Sequence, residues 1–205
     1  MDSANRQQKL DELAELQQRV AQLQREVEKP PKHWQAEEYY TAYYATAGFM
    51  LGMFGATTSL LFNVVGSALI NQNPLRLIQI YLTFPLGEQA LELDGGMTLV
   101  IGCCLYIATG MVLGVPFHLL LTWATSESKV SYRYLVATIL AGSMWLVHFY
   151  LILAWLQPVL FGGNWIVEQI PWWIGLVTHL IYGWTMALVY PLGLYVPYRR
   201  QTEQA

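Results

Sequence analysis

Acidic and basic side chains are missing from most of this chain. Of 205 residues only 12% are charged, about half the share of a soluble globular domain. Four long stretches, 43–70, 97–121, 134–156 and 172–196, contain no Asp, Glu, Lys or Arg at all. That absence excludes two large classes of mechanism. Proton- or sodium-coupled transport generally needs a carboxylate near the membrane midplane. A hydrolytic triad needs a nucleophile, a base and an acidic orienter together. A carboxylate pair could come only from Glu88, Glu92, Asp94 and Glu168 between the stretches, and acidic loops of this kind are read as solvated.

Other absences narrow the field further. The two cysteines, Cys103 and Cys104, are adjacent within an apolar run, so a secreted disulfide framework is excluded. No N-x-S/T sequon, C-x-x-C-H or H-E-x-x-H motif occurs. The first 42 residues are polar, so no apolar core of a cleavable signal peptide is expected there. The formal net charge is −3, with no basic field to attract nucleic acid.

What is present is apolar length. Each uncharged stretch exceeds the ~20 helical residues that cross a hydrocarbon core. The sequence therefore predicts an all-α integral membrane protein, a bundle of four transmembrane helices. Tyrosine and tryptophan cluster at the ends of the stretches, the headgroup level. With four spans, both termini and the 122–133 loop share a side. That side holds Arg6, Lys9, Arg19, Arg25, Lys29, Lys32, Lys129, Arg133, Arg199 and Arg200, against Arg76 alone on the other. The positive-inside rule then puts both termini in the cytoplasm, and a bacterial inner membrane is expected.

Three domains follow: 1–32, a cytoplasmic helix; 33–200, the four-span membrane domain; and 201–205, a polar tail. In the first, Leu13, Leu16, Val20, Leu23 and Val27 recur three and four apart, the seam of a coiled coil. It reads either as a solvated amphipathic helix or as a handle for a partner helix, and Pro30 and Pro31 end it. Between the first two spans, residues 74–84 follow Asn73 as an N-cap, with Pro74 at the first helical position and Pro85 closing. This helix is too short to cross. It is expected in the outer interface with Arg76, Gln79 and Thr83 on its polar face, or else buried against the bundle.

The spans carry a stripe of small residues. Gly48, Gly52, Gly55, Ser59, Asn63 and Gly66 recur along the first, and Gly110 and Gly114 form a G-x-x-x-G in the second. In lipid, such residues let helix backbones approach closely, so they are assigned to helix packing, with Asn63 as an interhelical hydrogen bond. In the fourth span, His179, Tyr182 and Gly183 share a region where a neighbouring helix can come near.

The residues with chemical potential are few. By helical rise, His148, His179 and the Cys103–Cys104 pair lie at a common depth in the outer leaflet, with His118 far from them. Imidazoles on facing helices can ligate haem b, and cysteine with histidine can hold a metal ion. The plainer expectation is that both histidines are neutral hydrogen-bonding contacts between helices, with no cofactor. The expected function is a non-catalytic accessory, assembly or scaffolding subunit of a larger membrane complex, among membrane lipid, a membrane-protein partner or second copy, and a possible coiled-coil partner. Two alternatives stand beside it. One is a haem-, metal- or quinone-associated electron-transfer subunit using His148 and His179. The other is a small-molecule or lipid transporter with aromatic walls such as Trp145, Trp184 and Tyr190.

Overall fold

The structure, a computed structural model, describes residues 12, 13, 15–23, 34–93, 95–125 and 129–195, with the backbone alone at 34–39. Val27, the Pro30–Pro31 stop, the basic tail and Asp94 lie outside the described residues. The chain divides into two units, 1–38 and 39–205. In the first, residues 15–23 are helical, and Leu13, Leu16, Val20 and Leu23 are all exposed.

The chain is all-helical, with no strand among the described residues. The elements are α1 (Trp34–Leu69), α2 (Arg76–Leu86), α3 (Met97–Thr125), α4 (Val130–Phe161), α5 (Trp165–Gln169) and α6 (Trp172–Val189). A 3-10 turn, Gly87–Glu92, follows α2, and another, Tyr190–Gly193, extends α6. Four helices are long and apolar enough to cross a membrane: Tyr40–Leu69, Met97–Thr125, Val130–Phe161 and Trp172–Gly193. Large apolar side chains such as Leu61, Val112, Leu135 and Leu188 face outward from all four. A bilayer would cover such faces.

Helix α4 is not α-helical throughout. Val147–Leu153 is a π-helix, set between α-helical Val130–Leu146 and Ala154–Phe161. Bonding from i to i+5 widens the turn, so residues four apart come nearly into line. Composition gives no hint of it, because Val-His-Phe-Tyr-Leu-Ile-Leu is apolar at nearly every position.

Crossings are set by small side chains. A Cβ added at Gly48 would stand 2.6 Å from the Gly114 carbonyl oxygen, and one at Gly110 would collide with Ala56. The stripe on α1 is thus packed against the G-x-x-x-G of α3 through Gly48 and Gly52, while Gly55 is covered by the Tyr182 ring of α6. Ser59 and Asn63 continue the stripe as buried residues, and only its last member, Gly66, faces open space. Helices α4 and α6 pack most extensively of the remaining pairs. Gly183 lies against Ala141 and the Ala137 carbonyl, where a larger residue would hold the helices apart.

Helix α2 differs from its expected form in two ways. It begins at Arg76 rather than Pro74, because the Asn73 side chain accepts from the Leu75 N–H (2.9 Å) and closes a turn first. Pro85 lies inside it, and Gly87, at φ +69, ends it in a backbone conformation that favours glycine. Of the two placements open to its polar residues, in the outer interface or buried against the bundle, the structure shows the buried one for Gln79 and Thr83. Gln79 is 3% exposed and Thr83 fully buried. Both are satisfied by the protein: Gln79 donates to the Leu93 carbonyl (2.6 Å), and Gln157 of α4 donates to Thr83 (3.0 Å). Buried polar groups need such partners, and here they draw the helix in. Ile78 and Leu82 pack with Leu60 and Leu99 on one flank, and Ile80 with Phe149, Ile166 and Ile170 on the other.

Candidate functional site

Between these elements lies a cavity of about 480 Å³, within the range of small-molecule sites. Its wall draws on every helix. Ser59 comes from α1, Tyr81 and Phe84 from α2, and Tyr106, Thr109 and Leu113 from α3. Met144, His148, Phe149, Ile152 and Leu153 come from α4, Ile166 from α5, and Thr178, His179 and Tyr182 from α6. The α4 contribution includes 148 with 152 and 149 with 153. Both pairs are four apart, so each lies along one side of the helix and the two together line the wall within the π-helix.

The two histidines meet at this wall. His148 Nδ1 stands 3.2 Å from His179 Nε2, and His179 Nδ1 stands 2.8 Å from the Gly175 carbonyl oxygen. A carbonyl only accepts, so His179 carries its proton on Nδ1. Its Nε2 is then a lone pair, and His148 donates to it from Nδ1. Helical depth alone suggested the meeting. The azimuths of two helices had also to agree, and the π-turn helps fix that of His148.

The remaining polar atoms of the wall are paired with one another. Tyr81 and Thr109 share a hydrogen bond of 2.7 Å, and Tyr106 and Ser59 one of 3.1 Å. Thr109 donates to the Leu105 carbonyl (2.9 Å) and Ser59 to that of Ala56 (3.0 Å), which leaves the two tyrosines as donors. Tyr182 donates to Gly110 (2.7 Å) at the glycine crossing. Thr178 accepts from Asn63 (2.9 Å), which makes Asn63 an interhelical bond between α1 and α6.

Other candidates from the sequence are placed elsewhere. Cys103 is half-buried beside the Leu60–Ile78–Leu82 cluster and Cys104 is exposed, so neither joins the imidazoles that its depth matched. The reason is direction: neighbouring residues on a helix point about 100° apart, and equal depth does not give equal azimuth. Among the described residues, no three of His, Cys, Asp and Glu gather to hold a metal. The imidazole spacing also bears on haem. Two axial nitrogens on one iron stand ~4 Å apart with the macrocycle between them, twice a metal–nitrogen distance of ~2 Å. Nitrogens in direct contact at 3.2 Å suit a shared proton instead.

His118 is fully buried far from the pair, against Gly48, Gly193 and the Tyr190 ring. Arg133 lies 4.2 Å from the centre of the Tyr190 ring. None of Trp145, Trp184 and Tyr190 lines the cavity. Trp184 instead donates to Thr138 (2.9 Å), and Trp145 stacks beside Trp172 and Phe149. The residues that do line it and that sequence reading passed over are Tyr81, Tyr106 and Thr109. Hydroxyls isolated in apolar stretches were their only signal. Comparison with protein-family models, with curated proteins and with solved structures finds no match to this chain.

Proposed function

We propose that the chain is a non-catalytic subunit of a bacterial cytoplasmic membrane that holds a lipophilic small molecule for a larger complex. The observation that carries this reading is the cavity of about 480 Å³, walled by apolar side chains with an imidazole pair among them. Apolar walls with a few placed polar groups are the common form of a ligand site. In this reading the four helices form a bundle with both termini cytoplasmic, supported by the ten-to-one bias of basic residues. The helix around Leu13–Leu23 serves as the handle for a coiled-coil partner or a second copy, supported by its unpartnered apolar seam.

The ligand comes from the membrane itself, a lipid-like molecule small enough to enter between helices. The absence of carboxylates from the wall, among the described residues, favours holding over turnover. Solvent extraction and native mass spectrometry of protein purified in mild detergent test the reading. About one lipophilic molecule per chain is expected, and Leu113→Trp, which fills the cavity, should lose it. A cavity that retains no small molecule and binds none of a panel of added amphiphiles refutes the proposal. A Soret band in the same preparation would overturn the view that the imidazoles share a proton instead of an iron.

A further inference from the structure

The polarity of the cavity narrows its ligand further, on the proposal that the cavity is a binding site. The hydrogen-bond chain runs His148 Nδ1–H to His179 Nε2, then His179 Nδ1–H to the Gly175 carbonyl. A neutral imidazole has one N–H, so His148 Nε2 is a bare lone pair, and it meets no partner among the described residues. The tyrosine protons of the wall are engaged with Thr109, Ser59 and Gly110. Only the Thr178 hydroxyl keeps an unengaged proton, on a side chain 8% exposed. The wall therefore presents lone pairs in excess of protons.

We propose that the cavity binds lipophiles with a hydroxyl head, such as alkylphenols or hydroquinones, whose O–H donates to His148 Nε2. A head with only carbonyl oxygens is disfavoured by the same chain of bonds. To donate from Nε2, a neutral His148 must give up the proton on Nδ1, and two lone pairs then face each other across 3.2 Å. Turning His179 to its other tautomer moves the same conflict to the Gly175 carbonyl. Protonating His148 restores both donors, but it places a cation on a wall whose other titratable groups are His179, Tyr81, Tyr106 and Tyr182, with no carboxylate among them. An unpaired charge in such surroundings is costly.

The test compares 4-nonylphenol, its O-methyl ether and a nonyl-substituted benzoquinone, each titrated into the full chain in lipid nanodiscs. All three fill the same apolar space. One hydrogen bond of about 1.4 kcal/mol is a tenfold difference, so the phenol should bind about tenfold tighter than the ether or the quinone. His148→Phe should abolish the preference while keeping the weaker apolar binding. His179→Phe frees the tautomer of His148, so the quinone should bind as well as the phenol there. Equal binding of the three probes to the native chain overturns this proposal alone, and a preference that survives in His148→Phe does the same. If no probe binds, the cavity reading falls and this proposal with it. The native comparison needs no variant, so a misfolded substitution cannot obscure the result.

Discussion

Replacing Gly114 by alanine places a methyl group at the closest approach of α1 and α3. Its Cβ would collide with the Gly48 carbonyl oxygen and stand 2.8 Å from the Gly52 Cα. Carbon atoms prefer ~3.5–4.0 Å, so the helices must part by just under ~1 Å locally. A gap of that size forfeits a quarter to a half of each contact along the seam, including those of Gly48, Gly52 and Ala56. Overpacking of this kind costs ~1–3 kcal/mol, offset by up to ~1 kcal/mol from the better helix propensity of alanine. The expected net loss is about 1–2 kcal/mol. Gly66→Ala is the control. Nothing lies within 4 Å of its added Cβ, so only the propensity gain remains. The propensity gain is common to both variants, so they should differ by the overpacking cost of about 1–3 kcal/mol, roughly 2–12 °C in midpoint for a chain of this size. Thermal unfolding of both in the same mild detergent measures it. If Gly114→Ala melts with Gly66→Ala, the glycine crossing is not what holds α1 to α3.

Gln157→Leu should destabilise the chain by about 1–3 kcal/mol. It leaves the buried Ile166 N–H without its acceptor (3.1 Å) and Thr83 without its donor. Denaturant titration reads the loss, and an unchanged midpoint would mean that another group replaces the glutamine. A double-mutant cycle of Asn63→Leu and Thr178→Val should give a coupling of about 0.5–1 kcal/mol, whereas strict additivity would show that the 2.9 Å bond contributes nothing net. In a background with Cys103 and Cys104 replaced by alanine, an impermeant thiol reagent on intact cells should label Glu88→Cys and spare Lys129→Cys. The opposite pattern would reverse the proposed orientation.

The four long helices were legible because uncharged apolar length is a local property of the sequence. Their ends were less so, since α1 begins at Trp34 and α4 runs to Phe161, beyond the uncharged stretches. Asn63 was legible as a polar contact because it interrupts a small-residue stripe, though its partner Thr178 could not be read from either segment alone. The cavity was not legible at all. It depends on the azimuth of His148, and hence on a π-turn whose residues give no local signal. Cys103 shows the same limit from the other side, matching the histidines in depth and missing them in direction. Helix α2 was placed in sequence correctly. Its sequence leaves the polar stripe open between water and the bundle, because the internal partners, Leu93 and Gln157, lie outside the helix.

Much of the cavity wall belongs to connecting segments, for Tyr81, Phe84, Ile166 and Ile170 all lie outside the four long helices. Besides their apolar packing on Phe149, the same segments are tied to α4 by hydrogen bonds of Gln157, which bridges Thr83 and the Ile166 backbone. Part of the wall is thereby set by segments that are not themselves long enough to cross a membrane. Substitutions in α2 and α5 can therefore reshape the chamber while the four long helices keep their composition.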